Sequence, residues 1–378
     1  MNEQILTNYR LQLPTEELLG TLVIRDGVIA DIQPGIVAQG EDGQGDYLMP
    51  GLVELHTDHL EKCMTPRPAV RWPLDAAAIY HDRDLAAAGI TTVCDAIAIG
   101  DVTPTSIRFT QFGAMIDEVL QRQESGKFLI DHRLHLRCEL AYEKVAEVAA
   151  GYATHPLLAL ISLMDHTPGQ RQFSKIDKYK EYYVGKHGVS EAEMDTFIRD
   201  RITAQQAHAD QSRRDLVALC RTHDISLASH DDATIEHVQQ AIAEGAVIAE
   251  FPTTLDAAKE AHKHGLQVLM GAPNLVLGGS HSGNVSALDL VALDLVDVIS
   301  SDYVPHSLLH AVFLIAHHTQ RAIHEVLRLV TLNPAKAIGL GGDRGSLAVG
   351  KRADLISVHA DGPVPRVMTV YSQGRRVA

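Results

Sequence analysis

The sequence is poor in the features that mark disulfide-rich, membrane-spanning and secreted proteins. Its 378 residues contain only four cysteines, and no two of them form a C-x-x-C pair, so neither a disulfide framework nor a thiolate zinc site is indicated. No apolar run approaches about 20 residues, the length needed to cross a bilayer. The N-terminal residues lack the basic and then apolar order of a secretory signal. The sequence therefore predicts a protein of the reducing cytoplasm.

Positive charge is scarce as well. The chain has 33 lysines and arginines against 48 aspartates and glutamates, a formal charge of -15. Non-specific binding of nucleic acid needs a basic face, so this class of partner is not expected. The hydrophobic fraction of 46% is ordinary for a globular protein, and the length suits one large α/β barrel with a small accessory domain. We expect a small-molecule substrate, with neither nucleic acid nor a membrane as a partner.

Both ends of the chain are rich in strand signals. Near the N-terminus, residues 20–24 and 28–32 flank a tight turn, and residues 353–358 and 367–371 have the same character. The middle of the chain instead alternates strand and helix patterns. These observations predict a small β-sandwich domain built from both termini, residues 1–50 plus 340–378, and a catalytic domain over residues 51–339.

The middle of the chain contains eight predicted strand–helix units. Their spacing indicates a parallel sheet with helices outside it, and eight such units predict a closed (β/α)8 barrel of the TIM type. An open, doubly wound sheet is the competing architecture, but no G-x-G-x-x-G turn follows the first strand. The predicted strands are residues 52–58, 91–97, 134–139, 158–164, 225–229, 247–251, 267–270 and 296–301.

The first predicted barrel strand ends in a His-x-Asp sequence. Side chains two residues apart project from the same face of a strand, so His56 and Asp58 point together at its C-terminal end. An imidazole beside a carboxylate supplies half of a divalent-metal site. Barrel enzymes build their sites at these strand ends. Further candidates lie on later strands: His135, Arg137 and Glu139 on one face of strand three, His166 after strand four, His230 after strand five and Asp302 after strand eight.

These features resemble the amidohydrolase superfamily. The resemblance rests on the strand segments at both termini, the Pro-Gly turn before the His-x-Asp strand, the histidines in mid-barrel and the aspartate of strand eight. It implies one or two divalent ions, with zinc as the first expectation and manganese or iron as alternatives. It also implies that Asp302 holds and deprotonates the attacking water. The implied metal ligands are His56, Asp58, Glu139, His166, His230 and Asp302.

Two implied ligands depart from the usual pattern of the superfamily. Asp58 takes the place of the second histidine of strand one, and Glu139 would replace the carboxylated lysine that often bridges two ions. This harder ligand set leaves open which metal binds and whether one ion or two are present. The alternative for Glu139 is a buried ion pair with Arg137. Asp231 and Asp232 are expected to cap a helix or to support the ligands.

Longer motifs resemble one member of the superfamily more closely, an enzyme of phosphonate catabolism that acts on a ribosyl triphosphate; among them are residues 163–173 and 278–284. The resemblance implies cleavage of such a small molecule to a ribosyl 5-phosphate and pyrophosphate, by a homo-oligomer. A triphosphate needs cations near the transferred group, and the basic segment 167–188 is expected to act as a lid. The predicted substrate-binding residues are Arg67, His135, Arg137, Arg171 and His281, with loop packing as the alternative for His281.

Two other functions remain open at this point. A cyclic-amide hydrolase or a deaminase would keep the metal ligands but would not need three arginines and a basic lid. A barrel that serves only as a binding or scaffold subunit would have broken ligand positions, and all six positions carry ligand-type residues. The charge of the substrate distinguishes the first alternative from triphosphate hydrolysis.

Overall fold

The computed structural model describes residues 3–67, 70–101, 106–171, 191–279 and 283–378, with the backbone alone for residues 191–193. Two compact units make up the fold, and each combines segments that are distant in sequence. The first unit comprises Met1–Asp95, Glu118–Arg133 and Met270–Ala378, and the second comprises Ala96–Asp117 and Leu134–Leu269.

The strands of the described residues belong to two sheets. The strands are β1 (Glu3–Gln12), β2 (Glu17–Arg25), β3 (Val28–Pro34), β4 (Glu41–Asp42), β5 (Tyr47–Pro50), β6 (Leu52–Thr57), β7 (Ile90–Ile99), β8 (Asp131–Glu139), β9 (Leu158–Met164), β10 (Ser226–His230), β11 (Ile248–Glu250), β12 (Gln267–Gly271), β13 (Val298–Ser300), β14 (Leu355–His359), β15 (Arg366–Ser372) and β16 (Arg375–Arg376).

The helices of the same residues lie mostly between the strands of the parallel sheet. They are His59–Met64, Leu74–Ala87, Ile107–Thr110, Phe112–Glu124, Val145–Tyr152, Glu191–His223, Ile235–Glu244, Leu255–Lys263, Ala272–Leu277, Ala287–Ala292, Ser307–Thr319, Ile323–Leu327 and Leu332–Ala337, with a 3₁₀ turn at Arg328–Val330. Among these described helices, none combines the length and the apolar character that a bilayer crossing would require.

Residues from both termini form one sheet in the first unit. Its strand order is β16-β15-β14-β5-β1-β2-β3, and β4 pairs with β1. The N- and C-terminal parts join where β5 runs antiparallel to β14, with Leu48 opposite Ser357. Apolar side chains of these strands pack into a buried core that includes Leu11, Leu22 and Leu355. The prediction that both termini build a common β-structure is confirmed at the level of this sheet, while a second sandwich layer and the domain boundaries stay predictions.

The second sheet is parallel, with the order β13-β12-β11-β10-β9-β8-β7-β6. Its strands agree with the predicted ones to within a few residues, and β9 has the predicted bounds. All ten residues of β7 are buried, as expected for a strand that is covered on both faces. The first and last strands meet, because Thr57 and Asp302 form a parallel bridge. A parallel sheet whose edges meet is the arrangement of a TIM-type barrel, and the barrel prediction is confirmed to that extent.

A buried cluster of four titratable side chains stabilises the first unit. His132 on β8 donates Nδ1–H to Asp95 on β7 over 2.8 Å, and its Nε2 lies 3.3 Å from Asp82. The second oxygen of Asp95 accepts from His81 Nε2 over 2.6 Å. Burial lowers the pKa of His132, but Asp95 and Asp82 more than offset this and raise that pKa to about 9. The imidazolium of His132 therefore lies between two carboxylates.

This cluster predicts a pH dependence of stability. The folded pKa of His132 lies above its ordinary value of 6.5, so the stabilisation is fully present below about pH 6.5 and is lost as the pH rises through about 9. The measurement is the free energy of unfolding in urea, for the wild type and His132→Asn, across this range. We expect the difference between the two proteins to shrink toward high pH. A constant difference would contradict the assignment, and exposed His264→Asn is the control.

Candidate metal-binding and active site

The predicted ligands of the first unit lie where β6 and β13 meet. His56 is buried on β6, and Asp58 follows the strand end. The backbone N–H of Asp58 donates to the Asp302 carbonyl over 3.2 Å, and the Thr57 hydroxyl donates to the same carbonyl over 2.5 Å. Burial and the negative charges of Asp302 and Asp58 raise the pKa of Tyr303. The structure thus brings together the predicted residues of strands one and eight.

Glu54 supports this junction and was not predicted. It is fully buried two residues before His56 on the same face of β6. Its carboxyl group accepts the backbone N–H of His56 over 2.7 Å and that of Ser301 over 2.6 Å, and it lies 2.7 Å from the Ser300 hydroxyl. Burial raises the pKa of Glu54 despite these hydrogen bonds. The spacing of two from His56 was a signal that could have identified Glu54, but its partners on β13 could not be read from the sequence.

The backbone takes a left-handed conformation after three strands of the parallel sheet. Asp231 follows β10 with φ 55°, Phe251 follows β11 with φ 52°, and Asp302 has φ 52° after β13. Non-glycine residues adopt this conformation at a cost of about 1–3 kcal/mol, and such positions cluster at functional sites. Aspartate tolerates the conformation better than most residues. Two of the three positions therefore carry a residue type that suits both the turn and metal ligation.

The second unit holds a group of three ligand-type side chains. His166, His230 and Asp231 each offer one ligand atom within 4.8 Å of the others. His166 Nε2 lies 3.8 Å from Asp231 Oδ2, and His230 Nε2 lies 3.6 Å from the same oxygen. The Nδ1 atoms of the two rings are bound to carboxylates behind them, at 2.7 Å to Glu139 and 3.0 Å to Glu250. The two Nε2 atoms and the Asp231 carboxylate therefore face a common point.

The hydrogen bonds behind this group suit a divalent metal ion. The carboxylates of Glu139 and Glu250 accept from Nδ1–H and leave the Nε2 atom of each ring toward the common point, as in a carboxylate–histidine–metal arrangement. Burial lowers the pKa of His166, but Glu139 and Asp231 more than offset this and raise that pKa, so an ion would displace a proton from this ring. Burial lowers the pKa of His230 to about 3, which keeps this ring neutral. Burial likewise raises the pKa of Asp231 to about 6, and an ion would favour its charged form. Two imidazole nitrogens and one carboxylate oxygen suit zinc, iron or manganese.

Glu139 and Glu250 both accept hydrogen bonds from imidazole Nδ1 atoms, and the lone pairs that these bonds leave on Glu139 could still bind an ion. Glu139, a predicted ligand, also accepts the backbone N–H of His166 over 3.1 Å. Glu250 ends β11 and was missed, because the predicted strand contained no histidine that would have drawn attention to it. Asp231 was expected to be a helix cap or a supporting residue. The capping part of that expectation was wrong for Asp231 and Asp232, because Thr234 caps the helix Ile235–Glu244 and accepts from the His237 N–H.

The predicted phosphate-binding arginines have different surroundings. Arg171 is buried and forms an ion pair with Asp232, and it donates to the His230 carbonyl over 3.3 Å. Arg137 is buried, and its positive charge acts on His166 and His230; burial and this charge lower the pKa of His230, whereas Glu139 raises the pKa of His166 overall. Its Nε has no hydrogen-bond partner among the residues that the structure describes. Arg137 therefore has a donor left for a ligand, whereas the charge of Arg171 is already compensated.

The remaining predicted substrate residues are dispersed. Arg67 is exposed in the segment after the first barrel strand. His135 is fully buried on β8, with its Nε2 2.9 Å from the Ser162 hydroxyl and 3.8 Å from Glu250. His281 and most of the predicted lid, residues 172–188, lie outside the described residues. The roles of these residues in substrate binding stay predictions.

A parallel barrel sheet with imidazoles and carboxylates at the carboxyl ends of its strands is typical of metal-dependent hydrolases. The Amidohydrolase family model matches residues 47–377, and the chain belongs to this family. One relative of this chain within the family is the alpha-D-ribose 1-methylphosphonate 5-triphosphate diphosphatase of Escherichia coli (strain K12). The two sequences are 44% identical over 378 residues, which is 99% of this chain and 100% of the relative.

Solved structures of other enzymes share the fold. The N-acetylglucosamine-6-phosphate deacetylase of Pasteurella multocida is 14% identical, with a TM-score of 0.62 and coverage of 99% of both chains. The 5-methylcytosine deaminase of Klebsiella pneumoniae is 17% identical, with a TM-score of 0.64, and the match covers 99% of this chain and 98% of that one. At these identities the likeness establishes the fold and leaves the substrate to other arguments.

Proposed function

We propose that this protein hydrolyses α-D-ribose 1-methylphosphonate 5-triphosphate to the 5-phosphate and pyrophosphate, as a metal-dependent enzyme of phosphonate catabolism through the carbon–phosphorus lyase pathway. The observation that carries the proposal is the 44% identity, over the full length of both chains, to the Escherichia coli diphosphatase of that name. The motifs that resemble this enzyme in the sequence support the same conclusion, because they surround the strand ends where the candidate ligands lie.

We further propose that His56, Asp58, Glu139, His166, His230 and Asp302 hold one or two divalent ions, and we add Asp231 to this set. The convergence of His166 Nε2, His230 Nε2 and Asp231 supports the addition. Zinc is the first candidate, because imidazole and carboxylate ligands suit it, and manganese and iron are the alternatives. When bound, such an ion acidifies a coordinated water and polarises a phosphoryl oxygen.

Asp302 is proposed to accept the proton of the attacking water. It follows β13 at the junction with β6, and its negative charge helps to raise the pKa of Tyr303. Its backbone is fixed by the two hydrogen bonds that its carbonyl accepts from Thr57 and Asp58. A base held in this way loses little orientational freedom on reaction, which is the requirement for efficient general-base catalysis.

The substrate carries several negative charges, and the chain offers cations to neutralise them. Arg137 is proposed to contact phosphate oxygens, since its buried Nε has no hydrogen-bond partner in the described part of the chain. Arg67, Arg171, His135 and His281 complete the proposed substrate-binding set. Arg171 then acts through a guanidinium that Asp232 already orients. Arginine suits this task because its planar fork donates to phosphate in pairs.

A cyclic-amide hydrolase or deaminase is the alternative function. It is distinguished from triphosphate hydrolysis by comparing a highly charged substrate with an uncharged one. The assay compares wild type and Arg67→Ala with the triphosphate and with a cyclic amide in parallel. We expect pyrophosphate from the triphosphate, no turnover of the amide, and a KM for the triphosphate about tenfold or more higher in the variant, since a hydrogen bond to a charged group is worth about 1.5–3 kcal/mol.

The control for this test is Arg366→Ala, which removes an exposed arginine that pairs with Asp361 in the terminal sheet. Its KM should stay at the wild-type value. Turnover of the amide with silence on the triphosphate would establish the alternative function. A cytoplasmic location and a homo-oligomeric state stay predictions.

A further inference from the structure

Phe251 holds a backbone conformation that is unfavourable for its residue type, directly beside a proposed metal ligand. It follows β11 with φ 52°, in the left-handed region, where a bulky side chain is an outlier. Asp231 and Asp302 have the same conformation, but the side chain of Phe251 is apolar and can neither hydrogen-bond to the local backbone nor bind an ion. Strained positions persist where the surrounding structure holds them, and they cluster at functional sites. The strain at Phe251 therefore calls for a functional reason.

The ring of Phe251 packs edge to face against the imidazole of His230. The two ring centroids are 5.6 Å apart, and the ring planes are inclined by 85°. The His166 ring lies at the same centroid distance of 5.6 Å from His230, inclined by 78°. Edge-to-face pairs of this spacing are attractive, because the positive edge of one ring meets the negative face of the other. His230 therefore contacts two rings, while Glu250 accepts from its Nδ1–H over 3.0 Å.

The left-handed turn explains how two consecutive residues both reach His230. Glu250 lies opposite His230 in the register of β10 and β11, so the two side chains are on the same face of the sheet. In a continued strand the next side chain would point to the opposite face, away from His230. The turn at Phe251 breaks this alternation and brings the aromatic ring back to the histidine. Asp231 does the same after β10, since its φ is 55° and its Oδ2 lies 3.6 Å from His230 Nε2.

We propose that Phe251 is a positioning residue of the metal site, whose ring fixes the plane of the His230 imidazole and so directs the Nε2 atom at the ion. This inference rests on the proposed role of His230 as a ligand. Glu250 holds one atom of the imidazole, and a ring held at one atom can still tilt about that hydrogen bond. The contact with Phe251 restricts the tilt. A ligand that is oriented in advance loses less freedom on binding, so the contact raises the affinity for the ion.

The test compares Phe251→Leu with Phe251→Tyr. Leucine is also disfavoured in the left-handed region but removes the ring, whereas tyrosine keeps the ring. We expect the Zn²⁺ affinity, measured by dialysis against a graded series of free Zn²⁺, to fall about 10-fold or more in Phe251→Leu, the usual effect of losing a group that orients a ligand. Phe251→Tyr should keep the wild-type affinity. The visible absorption of bound Co²⁺, which reports the coordination geometry, should change in Phe251→Leu and not in Phe251→Tyr.

The matched control is Phe128→Leu, because Phe128 also packs against a histidine, the buried His132, with the ring centroids 3.8 Å apart. His132 is not among the proposed ligands, so this variant should lose stability without losing Zn²⁺ affinity. Phe251→Asn is a second variant, which should fold because asparagine tolerates the left-handed backbone. Its Zn²⁺ affinity should fall as in Phe251→Leu.

Wild-type Zn²⁺ affinity and an unchanged Co²⁺ spectrum in both Phe251→Leu and Phe251→Asn would overturn the positioning role. An equal loss of affinity in Phe128→Leu would overturn it as well, because the effect would then be one of general stability. His230→Gln separates this failure from a failure of the proposed metal site. A loss of affinity in His230→Gln alone contradicts only the positioning role, whereas wild-type affinity in His230→Gln contradicts the proposed ligand too.

Discussion

Asp302→Asn is expected to lower the rate of pyrophosphate release by about 10²–10⁴-fold, the usual contribution of a general base. Asparagine retains the shape of the side chain but cannot accept the proton of the attacking water. It also tolerates the left-handed backbone at this position, where φ is 52°, so the strand end should keep its conformation. The measurement is kcat for the triphosphate, with circular dichroism and metal content as tests of folding and ion retention.

The matched control for this variant is Asp294→Asn. Asp294 also has a left-handed backbone and lies shortly before β13, but its carboxylate is exposed and pairs with Arg321. Its kcat should equal that of the wild type. If Asp302→Asn keeps its structure, its metal and most of its activity, then Asp302 is not the base, and the proton goes to another group of the site.

His230→Gln is expected to lower metal affinity by more than about 100-fold and to reduce turnover with it. The Nε2 lone pair of His230 is directed at Asp231, and the substitution removes it. Glu250→Gln should have a smaller effect, about 10–100-fold in affinity, because it weakens the carboxylate that orients Nδ1 without removing the ligand. Metal content after dialysis against a graded series of free Zn²⁺ gives both affinities.

The control for this series is His264→Gln, because His264 also pairs with a glutamate, Glu260, at 3.1 Å on the protein surface. The metal affinity of His264→Gln should equal that of the wild type. The graded order is the informative part of the result: the ligand substitution, the supporting substitution and the surface control should fall in that sequence. Equal affinity in His230→Gln and the wild type would remove His230 from the metal site.

The strand ends could be predicted because their signals are local. The period of two in the strands placed His56 with Asp58, and the barrel rule placed His166, His230 and Asp302 at the carboxyl ends of their strands. The structure has each of these residues at or just after the end of a strand. The terminal sheet could be predicted for the same reason, since a tight turn at Asp26 and Gly27 separates two strands rich in apolar residues.

The partners behind these residues could not be predicted, because each depends on a contact that is distant in sequence. Glu250 meets His230 across two neighbouring strands, 20 residues apart in the chain. Arg171 meets Asp232 61 residues away, and this pairing gives the arginine a compensated charge that its sequence motif does not reveal. The helix cap was misjudged at Asp231 and Asp232 because Thr234, two residues after Asp232, is also a capping residue type and lies next to the first helical residue.

Metal-dependent pyrophosphate release is the measurement that decides whether this protein has the proposed activity. The substrate is α-D-ribose 1-methylphosphonate 5-triphosphate, and the protein is assayed as isolated, after removal of its metal and after return of Zn²⁺, Mn²⁺ or Fe²⁺. We expect one pyrophosphate per triphosphate consumed, loss of this activity in the metal-free protein and its recovery with at least one of the three ions. Undiminished release from the metal-free protein, or release of orthophosphate in place of pyrophosphate, would contradict the proposed activity.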